Sequence, residues 1–380
     1  MGDIVIIGGG FAGLEAARVL SKRRSKLGER RILLVDAKSH FDFLPILPDV
    51  AGGRVDKNHA SMEMAQYLED LGVNFSQDEV VKIDTDKKEV FLKSSHVLSY
   101  EFLILASGSV TNFFNNKDIQ RVALKLDTSD DAQMLKNVVT TYPTKNILVI
   151  GGGYTGVEIA SQLACLLKHK KVKKYSLNII EKGEDILGVL PDWMKDYCRI
   201  NLCSLRVHMY AECSLKEVNE QSVKLSNGLE FSNYLLIWTA GVQTPAFVRE
   251  LKFDKDKQGR LSVGTDLSFD KNSFAIGDAA CFKYKDKPLR MSVQFSIAQA
   301  RVAASNIIRL IAKKEKMVPY RPLDLGFLVP LANRKACGKI LFFKVWGLLG
   351  WLCHYGMCIY RSLSLKNRLG LVRDTIFRIG

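Results

Sequence analysis

The chain has 380 residues, 47% hydrophobic and 25% charged, which suits two packed domains and excludes a disordered or low-complexity chain. Its formal net charge of +15 points to anionic ligands, an anionic membrane or nucleic acid. The eight cysteines lie between positions 165 and 358 with no CxxC and no zinc-like spacing, so they read as reduced thiols and no metal site is expected.

The chain opens on MGDIVIIGGG. This is an apolar run without a basic and apolar leader pattern, so export is not expected. Position 6 is Ile6, which does not suit N-myristoylation. DIVIIGGGFAGLEAARVL then RRILLVDAKS read as strand, glycine turn, helix and a second strand. Gly8, Gly10 and Gly13 form G-x-G-x-x-G. The first glycine permits the tight turn, the second lets backbone approach a pyrophosphate, and the third lets helix and strand pack closely. The pyrophosphate would sit on the helix N-terminus. Asp36 ends the second strand, where a carboxylate accepts from a ribose hydroxyl.

The pattern returns in KNILVIGGGYTGVEIASQLACLL followed by YSLNIIEKGEDIL. Gly151, Gly153 and Gly156 supply the turn, and Glu181 ends the next strand. A carboxylate there suits NADH and repels the 2′-phosphate of NADPH, although Lys182 is adjacent. Two such units call for two dinucleotides, FAD on one and a nicotinamide on the other; a duplicated NAD protein is the rival reading. Glu158 lies in the first turns of the second helix, and Glu15 holds the same place in the first. Stabilisation by the helix dipole explains both. A proton-donating carboxyl with a raised pKa is the alternative for Glu158. Farther on, DWMKDYCRINLCSL reads as a helix, and its Cys198 and Cys203 stand at a spacing open to dithiol chemistry.

The tail, 331–380, carries nine Lys or Arg and one acid, Asp374, about half of the whole excess. ILFFKVWGLLGWLCHYGMCIY (340–360) is long enough to span a bilayer. As a helix it puts Lys344, Gly347, Gly350, His354, Arg361 and Ser362 on one side. Val345, Trp346, Leu348, Leu349, Leu352, Ile359 and Leu363 fall on the other. Leu365, Leu369, Val372, Ile376 and Ile379 repeat the pattern. Two basic amphipathic helices lying in a membrane interface are expected, with a transmembrane span or a dimerisation face as alternatives. Nucleic acid is not expected as a partner, because the basic residues interleave with Trp, Leu and Ile.

Further stretches, in this order, resemble the two-dinucleotide-binding-domain flavoproteins, and within them the type II NADH:quinone oxidoreductases, single-subunit enzymes that do not pump protons. They are SHFDFLPILPDVAGG (39–53), YEFLILASGSVTNFF (100–114), GGGYTGVEIA, LLIWTAGVQTPAFV (235–248), NSFAIGDAACF (272–282) and the basic apolar tail. The resemblance implies an α/β fold of two Rossmann-like dinucleotide-binding domains, glutathione-reductase-like, plus a C-terminal amphipathic helical membrane module. Residues 1–114 and 258–325 would form a discontinuous FAD domain, 115–257 an NADH domain, and 326–380 the module.

The resemblance also implies roles. Gly8, Gly10, Gly13, Asp36, Ser107, Gly108 and Asp278 would hold FAD, and Gly151, Gly153, Gly156, Glu181 and Gly241 would hold NADH. Glu158 matches the acid that relays a proton to the quinone. Gln294, in SVQFSIAQARVA, matches the first of two glutamines beside the flavin and quinone; the second falls on Ala298, with Gln299 next to it, and an aromatic of that family falls on Pro48. The implied protein is membrane-associated, facing the cytoplasm or another NADH-containing compartment, with a membrane quinone as acceptor and a homodimer as one assembly. A sulfide:quinone or other quinone reductase of the same fold is the alternative, although the second turn has Tyr154 and Thr155 where a thiol would be needed. A non-enzymatic FAD-binding redox sensor is another.

Overall fold

A computed structural model describes residues 2–141 and 146–378. The chain divides into two compact units, one of Met1–Phe41, Glu63–Val110 and Val242–Asp324, the other of Asp42–Met62, Thr111–Gly241 and Leu325–Gly380.

In the first unit the apolar runs become a parallel sheet. Asp3–Ile7 is central, with Ile32–Asp36 then Asn74–Gln77 on one side and Val97–Leu105 then Ser273–Ala275 on the other. Ile4, Val5 and Ile6 have no exposed surface, as expected of a strand covered on both faces. The helix Phe11–Ser21 crosses back to Ile32–Asp36 and packs against the helix Val293–Ile311. The strand order therefore reverses beside the glycine turn, where open α/β sheets bind their ligands.

The second unit repeats this plan. Asn146–Ile150 is flanked by Ser176–Ile180 then Val207–Tyr210, and by Tyr234–Trp238 then Ala123–Leu124, all parallel. The helix Tyr154–His169 makes the first crossover. A three-stranded antiparallel sheet, Gly326–Leu331, Lys335–Ile340 and Phe343–Trp346, follows, and the helices Gly347–Arg361 and Leu365–Phe377 close the chain.

This tail corrects one expectation. Residues 340–346 are not helical: Phe343–Trp346 pairs with Lys335–Ile340 as a strand, Leu341 turns at φ +52°, and Gly347 at φ +65° lets the strand pass into the helix. Among the described residues no helix is long and apolar enough to cross a membrane.

The two helices carry their apolar residues outward. Leu348, Leu349 and Leu352 are more than half exposed, as are Leu365, Leu369 and Ile376. Their inward faces hold Trp351, Tyr355 and Cys358, and Asn367, Gly370 and Asp374. Ile379 lies outside the described residues.

The last helix is fastened by a polar clip. Asp374, with no exposed surface, accepts from the Asp56 N–H (2.8 Å), pairs with His59 Nδ1 (2.6 Å) and lies 3.2 Å from Arg378 Nε. Gly370 makes room for His59, since a β-carbon there would come within 2.2 Å of the ring. Asp374→Ala would leave the Asp56 N–H and His59 without their buried acceptor, at a cost of about 2 kcal/mol. It should lower the melting temperature and speed proteolysis within 365–377. Arg373→Ala, on an exposed side chain, should change stability by less than about 0.5 kcal/mol.

Candidate functional site

The two glycine turns have nearly the same geometry. Each strand ends on a glycine in the left-handed region, Gly8 at φ +104° and Gly151 at φ +106°. The Gly8 N–H donates to Val35 O and that of Gly151 to Ile180 O, both at 2.8 Å. The next amides reach the carboxylates that end the second strands: Gly9 N–H to Asp36 Oδ2 and Gly152 N–H to Glu181 Oε2, both 2.6 Å. The other carboxylate oxygens accept from Lys38 N–H (2.8 Å) and Gly183 N–H (2.6 Å). Two amides thus aim each carboxylate, and its remaining lone pairs are left for hydroxyl donors.

Gly10 and Gly153 cap the two helices, and a β-carbon on either would meet nothing within 4 Å. The first helical hydrogen bonds run from Leu14 N–H to Gly10 O and from Val157 N–H to Gly153 O. The amides before them point out of the helix end into that open space, an arrangement that attracts phosphate. Gly13 and Gly156 meet the opposite condition, since a β-carbon on either would lie 1.8 Å from the carbonyl oxygen of Gly8 or Gly151.

In the first unit more groups fit a flavin nucleotide. Ser107 Oγ is buried without a hydrogen-bond partner among the described residues. Gly108 stands at φ +66° with open space above it. Asp278 Oδ2 accepts from Ser109 Oγ (3.0 Å); burial raises its pKa, while Ser109 and Arg260 pull it down. The preceding Gly277 donates its N–H to Gln299 Oε1 (2.7 Å). Gln299 is therefore committed to holding the Asp278 loop. Gln294, half-buried at the start of the same helix, has Asp324 Oδ1 at 3.4 Å. One turn on, its helix face presents Ala298, not Gln299.

In the second unit Gly241, at φ +112°, faces the Phe114 ring, 3.2 Å from where a β-carbon would be. Its carbonyl accepts from Asn112 N–H (3.1 Å), whose own carbonyl takes the Trp238 Nε1–H (2.8 Å).

The two glutamates share a helical position and differ in environment. Glu15 is ion-paired with Arg18 (2.7 Å) and Arg301 (2.5 Å). Burial pushes its carboxyl up, but the two arginines outweigh this and hold it below the usual range. Glu158 has no hydrogen bond or ion pair to its carboxyl among the described residues. It still reaches the surface in part, yet protein encloses it on nearly every side, and that enclosure governs its charge. Burial, then the Asp49 carboxylate, raise its pKa well above the ordinary carboxyl range. The helix dipole, common to both, does not set the difference.

The structure adds a cluster that no motif flagged. Asp49 and Arg54, each 1% exposed, lie with Gln162 and Tyr355 near Glu158. The available signal was the presence of two charged residues in an apolar stretch, LPILPDVAGGRV. Cys198 meets Cys337 (Sγ to Sγ 3.6 Å), not Cys203, and no disulfide joins any of the cysteines.

Residues 2–306 match the pyridine nucleotide-disulphide oxidoreductase family. The chain is 27% identical over 383 residues to a demethylphylloquinone reductase of Synechocystis, covering 96% of this chain and 93% of that one. It is 23% identical over 388 residues to a type II NADH:quinone oxidoreductase of Haemophilus influenzae, covering 90% and 87%. Its fold matches that of NDH2 from Plasmodium falciparum, solved with NADH, at a TM-score of 0.88 and 18% identity, covering 99% and 97%.

The glycines give a paired prediction. Gly156→Ala should sharply reduce the folded yield, because its β-carbon meets backbone. Gly153→Ala should leave the melting temperature unchanged and weaken dinucleotide binding at least about tenfold by obstructing the helix end. Calorimetric melting and equilibrium NADH titration measure the two effects.

Glu158 gives a second. A carboxyl held neutral in the fold binds its proton more tightly folded than unfolded. Its contribution to stability is complete below the unfolded carboxyl's range and is lost as pH rises through the folded pKa. Glu158→Gln should therefore melt above the wild type at about pH 8 and with it at about pH 3.5, by scanning fluorimetry.

Proposed function

The chain belongs to the pyridine nucleotide-disulphide oxidoreductase family, and from that premise we propose that it is an FAD-dependent NADH:quinone oxidoreductase of the type II kind. The observation that carries this reading is the doubled turn, two separate backbone cradles that each end on a fixed carboxylate. When bound, FAD accepts a hydride from NADH and passes two electrons to the quinone.

The remaining work falls to the protein. Gly8 makes the turn, Gly10 keeps open the helix end whose free amides face the FAD pyrophosphate, Gly13 lets that helix pack on its strand, and Asp36 accepts from the ribose. Ser107, Gly108 and Asp278 supply a hydroxyl, open backbone and a carboxyl for the rest of the cofactor. Gly151, Gly153 and Gly156 do the same for NADH, with Gly241 beyond them, and Glu181 rejects a 2′-phosphate by charge repulsion. Reducing a quinone to a quinol consumes two protons, and Glu158 holds one of them at its carboxyl. Its enclosure and lack of a cationic partner support that role. Gln294 is the proposed amide contact to the acceptor.

The exposed apolar faces of the helices Gly347–Arg361 and Leu365–Phe377, bordered by Lys344, Arg361, Lys366, Arg368 and Arg373, suit the interface of an anionic membrane. A lipid-soluble quinone would be taken up there, with the nucleotide side facing the NADH-containing compartment.

Steady-state oxidation of NADH and NADPH with a short-chain quinone tests the reading. NADH should be strongly preferred, and Glu181→Ala should narrow that preference by at least about tenfold. Glu158→Gln should lower kcat by about a hundredfold with little change in the KM for NADH. Unchanged turnover in Glu158→Gln would remove the proton-donor role.

A further inference from the structure

The segment Leu47–Ala51 with the residues after it, the helix Tyr154–His169 and the helix Gly347–Arg361 meet around the buried carboxylate of Asp49. Asp49 Oδ1 accepts from Gln162 Nε2 (2.8 Å) and from the Tyr355 hydroxyl, and lies 4.0 Å from Arg54 Nε. The Arg54 guanidinium stacks on the rings of Trp351 and Tyr355, 4.8 and 5.0 Å from their centroids. Gln162 stands one helical turn after Glu158, so both side chains leave the same face of their helix. Asp49 thus collects a cation and two hydrogen-bond donors, and Glu158 collects none among the described residues.

The His, Tyr and Cys side chains around this site are shifted toward their neutral forms. His354, on the C-terminal helix, has its pKa lowered to about 4 by burial and by Arg54. Burial raises the pKa of Tyr355 and Cys358 on the same helix. Cys198, on Asp192–Ser204, is raised by its contact with Cys337 and by burial. The charges left around Glu158 are Asp49, whose carboxylate acts on it directly, and the cations Arg54, Arg361 beside Cys358, and Arg334, 5.9 Å from the Trp351 ring centroid. Burial leaves Asp49 above the usual carboxylate range, with Arg54 and Tyr355 pulling it back, whereas Glu158, without those partners, is raised well above its own range. Two carboxyls close together in a medium of low polarity do not both ionise at the same pH, and the one with the donors ionises first.

We propose that Asp49, held as the anion by Arg54, Gln162 and Tyr355, is a positioning residue that keeps Glu158 protonated. This rests on the reading of Glu158 as the proton carrier. It makes the state of that acid depend on a contact with the C-terminal helix, because Tyr355 belongs to the helix whose opposite face carries the exposed Leu348, Leu349 and Leu352. Four buried polar atoms around the cluster, Arg54 Nε and Nη1, Gln162 Oε1 and Trp351 Nε1, have no hydrogen-bond partner among the described residues and suit ordered water.

The test is infrared titration of the FAD-loaded protein without substrate. The carbonyl stretch of protonated Glu158 is assigned by its loss in Glu158→Gln and followed against pH. In Asp49→Asn the band should vanish at lower pH, with about tenfold weaker proton affinity. Because that variant leaves Arg54 unpaired in the interior, Asp49→Asn with Arg54→Met is measured alongside. Removing both charges of a buried pair is better tolerated, and the shift should keep its direction and be smaller. A Glu158 midpoint that stays at the wild-type pH in the variants that fold overturns the proposal. That failure is distinct from failure of the donor reading, which shows as undiminished turnover in Glu158→Gln with the infrared titration intact.

Discussion

In each unit a helix starts so close to the end of a strand that a β-carbon on Gly13 or Gly156 would sit 1.8 Å from a carbonyl oxygen. That approach is the constraint on which the rest of the structure depends. It brings the helix N-terminus to the edge of the sheet, aims free amides into open space, and leaves Gly9 and Gly152 one hydrogen bond from the acids of the next strand. Bulk at the third glycine would push helix from strand and separate these groups. Bulk at the second would leave the fold alone and fill the space a phosphate needs.

The same scaffold carries two different electrostatic outcomes. Glu15 and Glu158 occupy equivalent helical positions, and the backbone dipole acts on both. Arg18 and Arg301 hold the first carboxyl below its usual range, and enclosure beside Asp49 raises the second well above it. A repeated backbone therefore serves as a neutral starting point, and neighbours contributed from distant parts of the chain set the chemistry. In the second unit those neighbours include Tyr355, more than 300 positions from Asp49 in sequence, so the C-terminal helix takes part in the acid's environment.

The doubled turns, their strands and helices, and the carboxylates that end the second strands were legible in the sequence because each rests on local spacing. Gly8 to Asp36 and Gly151 to Glu181 need only one strand–helix–strand unit apiece. The Asp49 cluster was not legible, because its meaning comes from burial and from partners at 162 and 355. Nor did periodicity reveal the strand Phe343–Trp346. A run of apolar and aromatic residues suits helix or strand equally, and pairing with Lys335–Ile340 decided the matter. Cys198 shows the same limit: its neighbour in space is Cys337, not the cysteine five positions on.

Anaerobic addition of NADH to the purified, FAD-loaded protein tests the central claim that the two turns hold an electron donor and an electron acceptor in one chain. The flavin's visible absorbance should fall to completion at one NADH per chain and return when a short-chain quinone is added. Absorbance unchanged by saturating NADH, in protein that retains its FAD, would contradict it.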